Sequence, residues 1–229
     1  FFGDIQEGKS YEDVKAQNME YKKFLEEKGL QYGRSLFVPI WSGERKYDII
    51  EYGYWPDGQE QYKEWGAYMN EYPAWAAENS EFDGQAVETK RSISMRGVRA
   101  RGIRIPQDER DRFKFVDFQR CSFVTGGTME NLLDLNAKVE ASEIEMGNRA
   151  GYGVHYLMPY RGASPDTDYD FIIMRHYYSA KKRSDIVASY PEYRAMMNEK
   201  GYWDEFRANA TCGSQSTYRV EWLYNTFAN

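Results

Sequence analysis

Two similar segments, Lys46–Ile50 (KYDII) and Asp168–Ile172 (DYDFI), decide how this chain is interpreted, because they lie about 120 residues apart. Each is preceded at a similar distance by a segment that begins with proline, Pro39–Gly43 (PIWSG) and Pro159–Gly162 (PYRG). Matches that recur in the same order at one period are the sequence signature of repeated architecture. The two pairs therefore predict an internal duplication of about half the chain.

A third pair of segments extends this repeat into the helical regions. Glu71–Trp75 (EYPAW) and Ser189–Tyr193 (SYPEY) both contain a Tyr-Pro dipeptide, and they follow the first two pairs in the same order. Proline lacks a backbone N–H and is tolerated at the first turn of a helix but not in its interior. Each proline therefore predicts either a kink or the start of a new helix.

The order of predicted elements is the same in both halves. Ser10 begins a helix that ends near Gly29, and Thr128 begins one that ends near Gly147, as capping residues and glycine stops indicate. An apolar strand, a loop, a second strand, a helical region and a last strand follow in each half. The predicted strands span 31–41, 47–55 and 86–95 in the first half and 113–124, 152–160, 169–178 and 216–224 in the second.

This order, strand–helix–strand–strand–helix–strand, is that of the ferredoxin-like unit. We therefore predict an α+β protein of two tandem ferredoxin-like (βαββαβ) units. The first unit would span residues 1–95 with a truncated first strand, since only Phe1 and Phe2 match that strand. Residues 96–112 would be an arginine-rich linker, and residues 113–229 would form the second unit. The arginines of the linker would either contact an anion or phosphate or pair with acidic domain surfaces as part of a solvated linker, which is the favoured interpretation.

Two such units with aromatic strands and Tyr/Trp-rich helices resemble the dimeric α/β-barrel superfamily, over nearly the whole chain and at the level of element order. The resemblance implies that the two antiparallel sheets pack face to face as a barrel around a buried pocket. Members include cofactor-independent monooxygenases acting on aromatic polyketides, haem-linked enzymes, lyases and proteins with only a binding role, so no single reaction or cofactor is implied. The halves are also similar to uncharacterised exported bacterial proteins.

The composition narrows the class of protein. Phe, Tyr and Trp make up 17% of the chain, and the net charge is −6. An acidic balance argues against nucleic acid as a partner, and the lack of an 18-residue apolar run predicts no membrane-spanning helix. The sequence also contains no zinc-ligand pattern, phosphate-binding loop or nucleophile elbow. A small-molecule ligand, or a homo-oligomer formed through aromatic surfaces, fits this composition.

The two cysteines, Cys121 and Cys212, are expected to lie close together, at neighbouring ends of the first and last strands of the second unit. They would form either a disulfide or two buried thiols. A disulfide would place the protein in an oxidising compartment, the periplasm or the extracellular space. Two thiols would fit the cytoplasm.

Strand alternation places candidate ligand-binding residues on one face of each unit and, in the first unit, the aliphatic residues Leu36, Val38, Ile40 and Ile49 on the opposite face. The candidate ligand-binding residues have apolar or aromatic side chains: Phe37, Trp41, Tyr52, Tyr54, Leu157, Met174 and Tyr178. The two histidines of the chain, His155 and His176, fall on the same face of the second unit. The predicted hairpin register sets His155 opposite His176 and Leu157 opposite Met174.

Two imidazoles on an apolar face have two interpretations. They are either catalytic residues, as general base or as metal or haem ligands, or structural residues satisfied by tyrosine hydroxyls. A metal would need a third ligand, for which Asp168, Asp170 and Glu221 are candidates.

Because it contains no recognisable catalytic motif, the sequence favours a binding module for an apolar or aromatic small molecule. The alternatives are a monooxygenase-like or haem- or metal-dependent enzyme and a structural subunit of an exported assembly.

Overall fold

The structure is a computed structural model that describes residues 1–42, 46–82, 84–102, 113–147, 152–162 and 167–227. These residues contain nine strands and seven helices. The helices are α1 (Tyr11–Glu27), α2 (Gly58–Asn70), α3 (Tyr72–Asn79), α4 (Met129–Glu145), α5 (Ala180–Ala188), α6 (Tyr190–Glu199) and α7 (Tyr202–Arg207). The strands are β1 (Phe2–Ile5), β2 (Gly33–Trp41), β3 (Ile49–Tyr54), β4 (Val87–Arg91), β5 (Ser94–Arg101), β6 (Phe113–Phe123), β7 (Tyr152–Arg161), β8 (Phe171–Tyr177) and β9 (Ala210–Asn225).

The helices begin at the capping residues that the sequence indicates. The Ser10 hydroxyl accepts a hydrogen bond from the Asp13 amide, and the Asp13 carboxylate accepts one from the Ser10 amide at 2.7 Å. This capping box satisfies two amides that the first turn of α1 would otherwise leave unpaired. Thr128 caps α4 through its side-chain oxygen. Pro73 and Pro191 lie in the first turns of separate helices, α3 and α6, rather than kinking longer ones.

The nine strands form one sheet, so the prediction of two tandem ferredoxin-like units packed as a dimeric α/β barrel is wrong. The strand order is β4-β1-β3-β2-β9-β6-β8-β7-β5. β9 is responsible, because it has 16 residues, well beyond the usual strand length, and is the neighbour of both β2 and β6. The ladder therefore continues through β9, where two separate sheets would each have ended. The fold is one nine-stranded sheet, and the expected internal duplication into a barrel is therefore wrong as well.

The arginine-rich segment predicted as a linker is partly a strand. Ser94–Arg101 form β5, which pairs antiparallel with β7 at one end of the strand order. Charged side chains are common on edge strands, where they discourage pairing with other chains. An arginine-rich strand at this position therefore resembles a linker in composition. The rest of the predicted linker, from 103 to 112, lies outside the described residues.

The chain forms two compact units. Unit 1 comprises residues 1–38, 44–92 and 220–229, and unit 2 comprises residues 39–43 and 93–219. These bounds differ from the predicted domains mainly at the C-terminus, where the residues from Val220 onward belong to unit 1. Across the described ranges, no helix combines the length and apolarity that a membrane crossing requires.

In unit 1, helix α1 packs on one face of strands β2 and β3. Val14 is fully buried against Leu36 and Ile49, the aliphatic face that strand alternation predicts. On the opposite face, Phe37 stacks on Tyr52 with ring centroids 5.0 Å apart. The predicted assignment of the two faces is confirmed for these residues.

In unit 2, helix α4 packs on one face of β7 and β8. The core cluster includes apolar residues of all three elements: Leu132, Val154, Tyr156, Phe171 and Ile173. Because side chains alternate along a strand, the intervening residues of β7 and β8 point away from α4. His155 and His176 are among them, as predicted.

A disulfide joins Cys121 and Cys212 within unit 2. Their Cα atoms are 4.1 Å apart, on the neighbouring strands β6 and β9. Cys121 is almost completely buried in the core beneath α4. The bond therefore fixes the start of β9 to the interior of the unit.

Candidate functional site

The two histidines lie side by side on the face of unit 2 that points away from α4. The ring centroids of His155 and His176 are 4.9 Å apart, and the ring planes are inclined by 35°. Tyr178 packs edge-on against His176 at 5.5 Å. The neighbouring apolar residues Leu157 and Met174 are buried. We call this surface the histidine face; it comprises Gly153, His155, Leu157, Ile172, Met174, His176 and Tyr178.

The register of β7 and β8 differs from the predicted one by two residues. His155 pairs with Met174, and His176 pairs with Gly153, whereas the predicted register sets the histidines opposite each other. A shift of two residues keeps every side chain on its face, since alternation has a period of two. The histidines therefore remain neighbours, but diagonally across the strand pair. Diagonal neighbours are within reach of large side chains.

Gly153 accounts for the position of the His176 ring. A Cβ atom at residue 153 would collide with Nε2 of His176 and would lie 3.0 Å from two carbons of the same ring. The imidazole therefore lies over the backbone of Gly153, in space that any other residue would fill. Glycine inside a strand often marks such a close approach. The sequence contained this signal, since Gly153 precedes His155 by two residues and so shares its face.

Burial keeps both imidazoles neutral. Desolvation lowers the pKa of His176 to about 3, with smaller contributions from His155 and the positive charge of Arg99. Desolvation also lowers the pKa of His155, and Arg99 again adds to this effect. A neutral imidazole has one donor nitrogen and one acceptor nitrogen. The Nδ1 atoms of both rings are buried and have no hydrogen-bond partner among the described residues.

We expect His176 to make the protein less stable in mild acid. A histidine with the ordinary pKa of 6.5 takes up a proton on unfolding, whereas folded His176 stays neutral down to about pH 3. In this range the unfolded state binds more protons, so the free energy of unfolding falls as the pH falls. Between pH 7 and pH 5 the loss due to His176 should be about 1–2 kcal/mol, measurable by urea denaturation.

The matched variants for this prediction are His176→Phe and Tyr156→Phe. The first removes the titrating group from the histidine face, and the second changes a residue on the other face of β7. The difference in stability between the two pH values should shrink in His176→Phe and persist in Tyr156→Phe. The same pH dependence in His176→Phe as in the wild type would show that His176 is not the group responsible.

Three of the four aromatic candidates from the first half of the chain belong to unit 1. Phe37, Tyr52 and Tyr54 form a cluster in unit 1, with Tyr52 and Tyr54 ring centroids 6.2 Å apart. Trp41 belongs to unit 2 but is 68% exposed, and the guanidinium carbon of Arg183 lies 6.0 Å from its ring centroid. The histidine face is therefore defined without these four residues.

Two of the three carboxylates considered as a third metal ligand, those of Asp170 and Glu221, have other partners. Asp170 accepts a hydrogen bond from the Phe123 amide at 2.8 Å, and the backbone oxygen of Asp168 accepts one from Ser122. Glu221 lies in unit 1 and forms an ion pair with a lysine of α1 at 3.1 Å. In the part of the chain that the structure describes, no three His, Cys, Asp or Glu residues are grouped so as to hold a metal ion.

Sequence reasoning missed the contribution of strands β5 and β6 to this surface. Val116 of β6 pairs with His176, and Phe118 pairs with Met174. Arg99 of β5 pairs with His155. Directly paired residues of antiparallel strands share a face, so these side chains border the histidine face.

Comparisons with known proteins add little to this description. No protein-family model matches the chain, and a search of curated proteins gives no match. Among solved structures, one described as an anthrone oxidase-like protein aligns over 99% of this chain and 92% of its own, with 13% sequence identity and a TM-score of 0.47. A likeness of this degree carries no conclusion about function.

Proposed function

We propose that the histidine face binds a small apolar or aromatic molecule that donates a hydrogen bond to the histidine pair. The observation that carries this proposal is the pair of buried Nδ1 atoms of His155 and His176, which lack partners among the described residues. A buried polar atom left unpaired costs about 1–3 kcal/mol, and Nδ1 is an acceptor in the tautomer that carries its proton on Nε2. A ligand hydroxyl that parts the side chains covering these atoms would remove that cost, and Leu157, Ile172 and Met174, which are buried in the chain alone, would pack against its apolar body.

The composition of the face supports a binding role. Small-molecule sites are lined mainly by apolar and aromatic side chains, with a few polar groups that orient the ligand. The histidine face has this composition, because two neutral imidazoles and the Tyr178 ring lie among aliphatic side chains. The pair would therefore orient the ligand, and the apolar members would supply most of the contact area.

The electrostatics favour hydrogen-bond acceptance over general-base catalysis at His176. A general base is most effective when its pKa lies near the working pH. The pKa of His176, about 3, is too low for that task at neutral pH. The pKa of His155 is also lowered. His176 is therefore better suited to accept a hydrogen bond from a bound hydroxyl than to remove its proton.

We also propose that the protein works in an oxidising compartment, the periplasm or the extracellular space. The Cys121–Cys212 disulfide supports this placement, because disulfides form and persist in such compartments and are rare in the cytosol.

The binding proposal is tested with two probes that differ in the group on one oxygen, a hydrogen in the first and a methyl group in the second. 2-Naphthol can donate a hydrogen bond, whereas 2-methoxynaphthalene can only accept one. By isothermal titration calorimetry, the wild type should bind 2-naphthol about 3–10-fold more tightly, the usual value of one neutral hydrogen bond. This preference should disappear in His155→Phe or His176→Phe and should persist in Tyr156→Phe.

Two results would contradict the binding proposal. One is equal affinity of the wild type for both probes, which would mean that no acceptor is engaged. The other is a 2-naphthol preference that survives in the protein with both histidines replaced. Circular dichroism of each variant shows whether a lost preference reflects the ligand site or a loss of folded structure.

A further inference from the structure

A β-bulge in β5 sends two nearby arginines to opposite faces of the sheet. Arg99 pairs with His155, Arg101 pairs with Val154, and the register shifts between them. Residues two apart in a regular strand share a face, but the extra residue Ala100 breaks that relation. Arg101 is consequently buried, with 4% of its surface exposed, on the α4 side. Arg99 is left on the histidine face.

Two glycines make room for the polar groups on this face. A Cβ atom at Gly102 would collide with the guanidinium of Arg99, as one at Gly153 would collide with the ring of His176. Arg101 of β5 pairs with Val154 of the antiparallel strand β7. Gly102, which follows Arg101, is therefore adjacent to Gly153, which precedes Val154, at the end of the β5–β7 ladder. The Arg99 guanidinium and the His176 ring therefore rest on neighbouring stretches of bare backbone.

The group formed by Arg99, His155 and His176 carries a net positive charge. The imidazoles of His155 and His176 are neutral, and the positive charge of Arg99 acts on both. Among the described residues, no carboxylate contributes measurably to the pKa of either ring. Arg99 itself is exposed at the edge of the sheet, where an incoming ligand would meet it first.

We propose that Arg99 recognises an anionic group on the ligand of the histidine face, so that this ligand is an apolar or aromatic body bearing one carboxylate in addition to the hydroxyl that donates to the histidine pair. The inference rests on the proposed function and adds the charge of the ligand to it. The guanidinium would bind the anionic oxygen through charge-assisted hydrogen bonds. Leu157, Ile172 and Met174 would pack against the rest of the molecule.

The test compares 6-hydroxy-2-naphthoate with its methyl ester, which have the same ring system and the same hydroxyl donor but differ in charge. The wild type should bind 6-hydroxy-2-naphthoate about tenfold more tightly at low salt, and the preference should weaken as salt screens the exposed guanidinium. Arg99→Gln should remove the preference, and Arg99→Lys should retain part of it. The matched control is Arg96→Gln, which removes the same charge from β5 at a position that pairs with Met158 on the other face.

The outcomes separate this inference from the proposed function. An undiminished preference for 6-hydroxy-2-naphthoate in Arg99→Gln would overturn the role of Arg99, while a histidine-dependent preference for 2-naphthol would still support the binding proposal. An equal loss in Arg96→Gln and Arg99→Gln would also overturn it, since general surface charge would then explain the effect. If none of the probes binds the wild type, both proposals fail.

Discussion

Replacing Glu143 with Leu should lower the free energy of unfolding by about 3–5 kcal/mol, because it leaves a buried guanidinium without a counter-ion. Glu143 and Arg101 are 1% and 4% exposed, and they form an ion pair between α4 and β5. The Tyr152 hydroxyl also donates to the Glu143 carboxylate at 2.9 Å. Urea denaturation of Glu143→Leu and the wild type measures the loss.

The double variant Arg101→Met/Glu143→Leu is the control for this prediction. Replacing both charges with apolar side chains of similar size leaves no unpaired charge, so much of the lost stability should return. A single variant that loses less than about 1 kcal/mol would show that water reaches the pair. The ion pair would then not be what holds β5 against α4.

Removing the disulfide should have a comparable effect. Cys121 and Cys212 are 91 residues apart in sequence, and closing a loop of that length stabilises a protein by about 4.6 kcal/mol in the chain-entropy model. The variant Cys121→Ala/Cys212→Ala should therefore melt about 10 °C below the wild type, given the usual relation between stability and Tm at this chain length. Thermal melts followed by circular dichroism measure the difference.

Reduction of the wild type provides the control for the disulfide. The wild type in excess dithiothreitol should melt near the temperature of the double alanine variant. A double variant that melts within about 2 °C of the oxidised wild type would contradict the prediction. It would mean that the unfolded chain gains little freedom when the bond is absent.

The sequence was sufficient for local structure and insufficient for the order of the strands. Ser10 and Thr128 marked helix starts correctly, because capping depends on residues within one turn. Alternation likewise assigned Leu36 and Phe37 to opposite faces. The single sheet could not be found in this way, since the pairing of β9 with both β2 and β6 joins residues far apart in sequence. No local periodicity encodes which strand becomes the neighbour of another.

At the candidate site, too, the sequence predicted the local pattern of faces but not the pairing between strands. Alternation placed His155 and His176 on one face, and the structure brings their rings together. It could not fix the register, because a shift of two residues leaves the pattern of faces unchanged. The arginines of the predicted linker allow an anion contact, but alternation did not place Arg99 on this face, because the bulge at Ala100 reverses the face of one arginine relative to the next and an arginine-rich segment has the composition of a solvated linker.

The most direct test of the central claim uses the fact that the chain contains two histidines. In protein labelled with ¹³C,¹⁵N-histidine, only His155 and His176 contribute imidazole signals, and His155→Phe assigns them. Titration with 2-naphthol should shift both sets of ring signals to saturation at one dissociation constant and give nuclear Overhauser contacts from both rings to the naphthyl protons. Saturable binding of 2-naphthol, seen by calorimetry, with both sets of imidazole signals unmoved would place the ligand elsewhere and contradict the account.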